Sequence, residues 1–361
     1  MLITNISATA FRNLEIESQE FSPKINILHG MNAQGKTNCL ESIYFCAFGR
    51  PMRSNMDCDL VGFNEKAAHV RVDVQKNLAN FRIDAHIERY KNKSAKSLSI
   101  DRIPIKHMKE LFGLLLVVMF SPEDLSLIKA GPSERRRFMD IEICQLSPVY
   151  YGDLREYFRA LKQRNALLKT LQKDRSQMDS LSIWDEQLIY YGARIIKTRS
   201  GFVNRINNIA REIHFKITQN KENLQLIYAP NISDDYSEVM SKSHERDIIR
   251  GSTSNGIHKD DIVFTVNGIS ARNFGSQGQQ RTAALSAKLA EIEIIKSSAL
   301  ETPILLLDDV LSELDKFRQQ FLLTQIEGIQ TLITCTGVED VLMAKTIGEY
   351  KTIKVENGRL L

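Results

Sequence analysis

Apolar and polar positions alternate near the start of the chain. Leu2-Ile3-Thr4-Asn5-Ile6-Ser7-Ala8-Thr9 alternates in part, and Phe11-Arg12-Asn13-Leu14 follows as a turn. Residues 68–74 and 81–87 alternate with period two, which predicts two half-buried strands joined as a hairpin through residues 75–80. His69 and His86 fall inside these strands and read as ordinary sheet residues rather than metal ligands. Ile25-Asn26-Ile27-Leu28 is a short strand-like run. Pro303-Ile304-Leu305-Leu306-Leu307 is continuous, as in a strand buried on both faces.

The period changes near residue 120. Ser121 at the N-cap, Pro122 at the first helical position and Asp124 two residues later predict a helix start. Gly131-Pro132 closes that helix, and Ser133-Glu134-Arg135-Arg136-Arg137-Phe138 opens another. Leu154, Tyr157, Phe158, Leu161, Leu168 and Leu171 then recur at helical spacing. After a polar break over 172–180, the pattern resumes with Trp184, Leu188, Tyr191, Ile195, Phe202, Ile206, Ile209 and Ile213. This predicts two long antiparallel helices, a short coiled-coil-like hairpin with a core stripe. Residues 228–255 are polar and turn-rich and read as a linker. Residues 262–266 read as a strand entering an Asn267-Gly268 turn.

Composition narrows the class. A chain of 361 residues that is 43% hydrophobic can bury a sizeable core, and its length predicts two lobes. No apolar stretch is long enough for a membrane span, and residues 1–6 lack the pattern of a signal peptide, so a cytoplasmic protein without a membrane partner is expected. Five scattered cysteines without metal-ligand spacing read as reduced thiols. The net charge of +4 permits a nucleic-acid partner without demanding one. Residues 153–216 carry 13 Lys and Arg against 7 Asp and Glu, so the basic surplus sits on the helical hairpin. Its two readings are a solvated helix face and a phosphate-contacting surface.

Gly30-Met31-Asn32-Ala33-Gln34-Gly35-Lys36-Thr37 is a complete G-x-x-x-x-G-K-[ST] phosphate loop. A strand-like run precedes it and a helical pattern follows, with Leu40, Ile43 and Tyr44 on one side. Gly30 and Gly35 let backbone N–H groups turn toward an anion at a helix N-terminus. Lys36 can reach β- and γ-phosphates, and the Thr37 hydroxyl can ligate Mg²⁺. Asp308 and Asp309 end the buried strand; Asp308 is the expected Mg²⁺ ligand and Asp309 the group that acts on the attacking water. Ser276-Gln277-Gly278-Gln279 opens a further helix and forms a second anion site, or simply a capped helix after a glycine turn.

The order of phosphate loop, S-x-G-Q segment and strand with paired acids resembles the ATP-binding-cassette ATPases. Ser276, Gly278 and Gln279 match their signature motif, and Ser312-Glu313-Leu314-Asp315 matches their D-loop. The Phe11-Arg12-Asn13 start and the short helical hairpin resemble the structural-maintenance-of-chromosomes (SMC) branch. Residues 120–125, 131–138 and 256–261 resemble patterns of the RecF family of bacterial recombination mediators.

The resemblance implies an α/β fold, a P-loop ATPase head of the ATP-binding-cassette, SMC-like type with an inserted helical lobe. Residues 1–120 and 251–361 would form the ATPase lobe and 121–250 the helical lobe. It implies ATP and Mg²⁺ as cofactors and adds Arg12 to the nucleotide-binding set. It also implies an ATP-dependent homodimer in which Ser276 of one subunit reaches the phosphate held by Lys36 of the other. Lys36, Ser276 and Asp309 would be the catalytic groups. The implied partners are duplex and gapped DNA, RecO and RecR, with a functional link to RecA. Three positions depart from the broader cassette pattern. Asp309 stands where Glu is usual, no sensor glutamine is evident near Phe120-Ser121-Pro122, and no switch histidine follows residues 331–336, where Thr334 or Thr336 could substitute. The rival readings are the ATPase subunit of a membrane transporter and a small-molecule P-loop kinase.

Overall fold

Ile3, Ile6, Ala8 and Phe11 are buried in an antiparallel sheet whose first strand carries register shifts, between Ile3 and Asn5 and between Thr9 and Phe11, that interrupt simple alternation. The computed structural model describes residues 1–76, 79–90, 93–233, 235–338 and 348–361. These form two compact units, one of Met1–Asp124 with Glu291–Leu361 and one of Leu125–Ala290. In the first unit, Leu2–Phe11 pairs with Leu14–Glu20 on one side and Ala67–Gln75 on the other, and Asn80–Tyr90 continues the sheet. The connection expected over 75–80 includes residues 77–78, which lie outside the described residues. His69 and His86 face each other in register, His69 beside Asp84 at 3.4 Å and His86 beside Glu88 at 3.2 Å.

The second sheet of this unit positions the phosphate loop. Ile25–His29 sits between Tyr350–Glu356 and Thr331–Cys335, and Ile304–Asp308 and Val117–Phe120 follow, all parallel. Every residue of Ile304–Asp308 and Thr331–Cys335 is buried. The register sets Thr334 opposite both Leu28 and Asp308. The C-terminal ends of three strands therefore meet on one edge, where open parallel sheets place their ligand sites.

The second unit is built on the expected hairpin. Its helices are Pro148–Leu171 and Leu181–Ile217, the first capped by the Ser147 hydroxyl, which accepts from the Tyr150 N–H at 3.2 Å. Leu154, Tyr157, Leu161, Leu188, Ile195 and Ile206 are buried, whereas Phe158 is exposed. Two hairpin cations turn inward. Arg164 bonds Asp185 at 2.6 Å and Asp247 at 2.8 Å, and Arg199 bonds Asp140 at 2.9 Å and Asp260 at 2.8 Å. Both arginines are fully buried, so removing one partner would leave an uncompensated charge inside the protein.

Two expectations are corrected here. The polar stretch 228–255 is not a linker: it forms the helices Tyr236–Lys242 and His244–Arg250, with Tyr236, Met240 and Ile248 buried. Its polar residues serve the buried arginine, since Asp247 and Thr253 both bond Arg164. The boundary expected at 250 falls instead at 290, because Asp261–Val266 pairs antiparallel with Leu224–Ala229 and stays with the helical unit. The signature segment therefore belongs to the helical unit. The turn after this strand was legible: Asn267 and Gly268 both have positive φ, 52° and 80°, as a two-residue hairpin turn requires. Among the described residues, no helix is long and apolar enough to cross a membrane.

Candidate functional site

The phosphate loop keeps its shape through its glycines and neighbours. Gly30 has φ 155°, and a Cβ there would come within 2.4 Å of the Val355 carbonyl. Gly35 has φ 112°, and a Cβ would crowd Asn13 and Leu14 at 3.0 and 3.1 Å. Only glycine keeps this backbone unstrained. Gln34 is braced from outside, its carbonyl accepting from the Gly358 N–H at 2.9 Å and its amide oxygen from Asn357 at 2.7 Å. The helix Lys36–Phe48 then begins directly at the loop. The buried Lys36 ammonium donates to the Gly30 and Met31 carbonyls at 2.6 and 2.9 Å.

Across the strand edge, Asp308 meets the loop and Asp309 lines the same cleft. The Thr37 and Thr334 hydroxyls each donate to Asp308 Oδ1 at 2.8 Å. The Asp309 N–H donates to the Thr334 hydroxyl at 3.0 Å, and Asp309 sits at φ 51°. Thr334 thus fixes the carboxylate of one acid and the backbone of the next. Asn32, Ala33, Gly35, Lys36, Thr37, Asp308, Asp309, Thr334 and Thr336 line a cleft of about 430 Å³, joined by Asn38 and Arg53. A hydroxyl and a carboxylate in contact are the hard oxygen pair that a small divalent cation takes, and the Gly30–Gly35 backbone beside them suits an anion.

Arg12 does not line this cleft. Its guanidinium makes a two-pronged bond to Glu41, at 2.8 and 3.1 Å, and a third bond to the Asp59 carbonyl at 3.0 Å. In this structure the buried Glu41 and the Asp59 carbonyl engage its guanidinium. Glu41 also binds Arg53 at 2.7 Å, and Arg53 reaches Asn38 at 2.6 Å. Burial alone would raise the Glu41 pKa; bonds and charge from Arg12 and Arg53 outweigh it and lower the value. Arg53 is the cleft residue that motif reading missed. The available signal was Glu41, an acid within an otherwise buried helix stretch that required a cation.

The signature segment lies in the other unit, so Ser276 and Lys36 belong to different parts of one chain. Its helix runs Gln277–Ala299, opened by the Ser276-Gln277-Gly278-Gln279 segment as expected. The Ser276 hydroxyl accepts from the Gln279 N–H at 3.2 Å, and the Gln279 side chain accepts from the Ser276 N–H at 2.9 Å. This reciprocal pair is a capping box. Ser276 and Gly278 are exposed and Gln279 is half-buried.

A phosphate loop, facing acids on parallel strands and an inserted helical unit define the head of an ATP-binding-cassette, SMC-like ATPase. Residues 2–359 match the family model described as the RecF/RecN/SMC N terminal domain. The chain is 47% identical to the DNA replication and repair protein RecF of Lachnoclostridium phytofermentans, over 99% of this chain and 100% of that one. It is 42% identical to the RecF of Clostridium acetobutylicum, over 100% and 99%. A solved structure of the recombination mediator protein RecF with ATP, from the RecFOR pathway, superposes with a TM-score of 0.90 at 34% identity, covering 99% of this chain and 96% of that one. An Smc head shares the fold, with a TM-score of 0.57 at 15% identity, covering 100% and 96%. The chain belongs to the RecF family.

Proposed function

We propose that this chain is an ATP-dependent DNA-binding protein of replication and recombinational repair. Its ATP-driven homodimer would hold duplex or gapped DNA and, with RecO and RecR, promote RecA loading on gaps coated by single-strand-binding protein. Hydrolysis would release the grip. The observation that carries the reading is the contact of Thr37 with Asp308 beside the Lys36 loop. The full-length similarity to RecF supports the biological setting. The transporter alternative draws no support from these relatives.

In this reading Lys36 leaves the Gly30 and Met31 carbonyls for the β- and γ-phosphates of ATP, while the loop N–H groups hold the remaining oxygens. Thr37 and Asp308 would hold Mg²⁺, which would supply neutralisation of phosphate charge when bound. Thr334 keeps Asp308 oriented for that role. Asp309 accepts from and orients the attacking water; it is one methylene shorter than Glu, which favours slow turnover. Since Thr334 is engaged with both acids, the exposed Thr336 would stand in for the switch histidine. Arg53 adds a cation to the cleft wall. Ser276 and Gly278 complete the site of the other subunit.

The test is ATP hydrolysis with and without duplex and gapped DNA. The reading predicts slow turnover that rises with DNA. Absence of nucleotide affinity, or transfer of phosphate to a small-molecule acceptor in place of release, contradicts it.

A further inference from the structure

A hydrogen-bonded chain runs from the end of the long hairpin helix to the signature segment. Glu222 sits on the turn after that helix, where Gln219 and Asn220 take positive φ, 53° and 64°, and end it. One carboxylate oxygen accepts from the Gln279 side-chain amide at 2.9 Å, and the other lies 3.2 Å from His214 Nε2. His214 is fully buried in the last turn of the same helix, and its Nδ1 lies 3.2 Å from the buried Ser286 hydroxyl. Gln279 is in turn the partner that accepts from the Ser276 N–H. All of these residues lie in one compact unit.

We propose that Glu222, held by His214, is a positioning residue for Ser276, acting through the Gln279 side chain. Gln279 can cap Ser276 in one orientation only, with its oxygen toward the Ser276 N–H and its NH₂ toward an acceptor. Glu222 supplies that acceptor, and His214 fixes the carboxylate from the other side. Without Glu222 the amide is free to rotate, the cap loosens, and the Ser276 hydroxyl loses its fixed aim. The same carboxylate ties the end of the hairpin helix to the segment, so a displacement of that helix end is passed to Ser276. This rests on the proposed role of Ser276 in an ATP-driven dimer.

The test compares Glu222→Ala, Glu222→Gln and Gln279→Ala in the full chain. Glu222→Ala should bind ATP like the wild type, yet raise the protein concentration needed for ATP-driven dimerisation about tenfold, as removal of one charge-assisted bond would. Glu222→Gln should stay within about threefold. Its amide oxygen still accepts from Gln279, and its nitrogen can donate to Nε2 of a neutral imidazole. Combining Glu222→Ala with Gln279→Ala should cost no more than Gln279→Ala alone. Normal dimerisation of Glu222→Ala, or fold-changes that multiply in the double variant, overturns the inference. So does equal impairment of both Glu222 variants with lowered thermal midpoints, which assigns Glu222 to the fold. A wild-type chain that does not dimerise with ATP instead overturns the dimer reading itself, and this inference with it.

Discussion

At the scale of single residues, the proposed function gives Asp309 to the chemistry, whereas Glu41 belongs to the scaffold. Asp309 is exposed at the strand end in a left-handed backbone conformation, which Asp tolerates better than most side chains. Asp309→Asn keeps that shape and its N–H bond to Thr334, but removes the carboxylate. Turnover should fall at least tenfold while ATP affinity changes less than about threefold, read by steady-state phosphate release and nucleotide titration. Glu41 works through stability. Its pKa is lowered on folding, so its contribution is fully present above the ordinary carboxylate range and is lost as pH falls through the folded value. Glu41→Gln should cost about 2 kcal/mol near neutral pH, less than a fully buried pair because Arg12 and Arg53 are partly exposed. The gap from wild type should shrink below about pH 4, as denaturant unfolding across pH would register.

At the scale of elements, short-range patterns were readable and long-range partners were not. The phosphate loop, the continuous strand before Asp308 and the hairpin stripe each declare themselves within about twenty residues of sequence, because period and glycine placement are local. The pairing of Arg164 with Asp247, or Arg199 with Asp260, spans the helical unit and leaves no local trace. That is why the stretch around Asp247 reads as a polar linker in sequence, and why all thirteen hairpin cations read as available. With those two arginines internal, eleven of the thirteen remain at the surface, and four of them form a stripe on the first hairpin helix. Arg155, Arg159, Lys162 and Lys169 recur there at steps of four, three and seven, all exposed. Arg155 and Arg159 share Glu156, whereas among the described residues Lys162 and Lys169 show no ion pair. Changing Arg159, Lys162 and Lys169 together to Gln should weaken DNA binding. It should also lower the slope of log K against log salt by about 0.9 for each phosphate left without its cation. An unchanged slope in a salt titration assigns the stripe to solvent.

For the whole molecule, one chain carries the Lys36 loop and the Ser276 cap in different compact units. The loop at Lys36 and the cap at Ser276 would each be completed by a second copy, as the cassette resemblance implies. The most direct test mixes two defective proteins. Ser276→Arg fills the signature site with a bulky cation and leaves Lys36, Thr37 and Asp308 intact; Lys36→Ala removes the phosphate-binding ammonium and leaves Ser276 intact. Each alone should hydrolyse ATP poorly, and Ser276→Arg should still bind ATP as a monomer without dimerising. In a mixed dimer one composite site carries both defects and the other carries neither. The account therefore predicts that an equimolar mixture recovers part of the ATP-dependent dimer, measured by light scattering, and part of the turnover. Normal ATP-driven dimerisation of Ser276→Arg alone, or no recovery of dimer or turnover in the mixture, would contradict it.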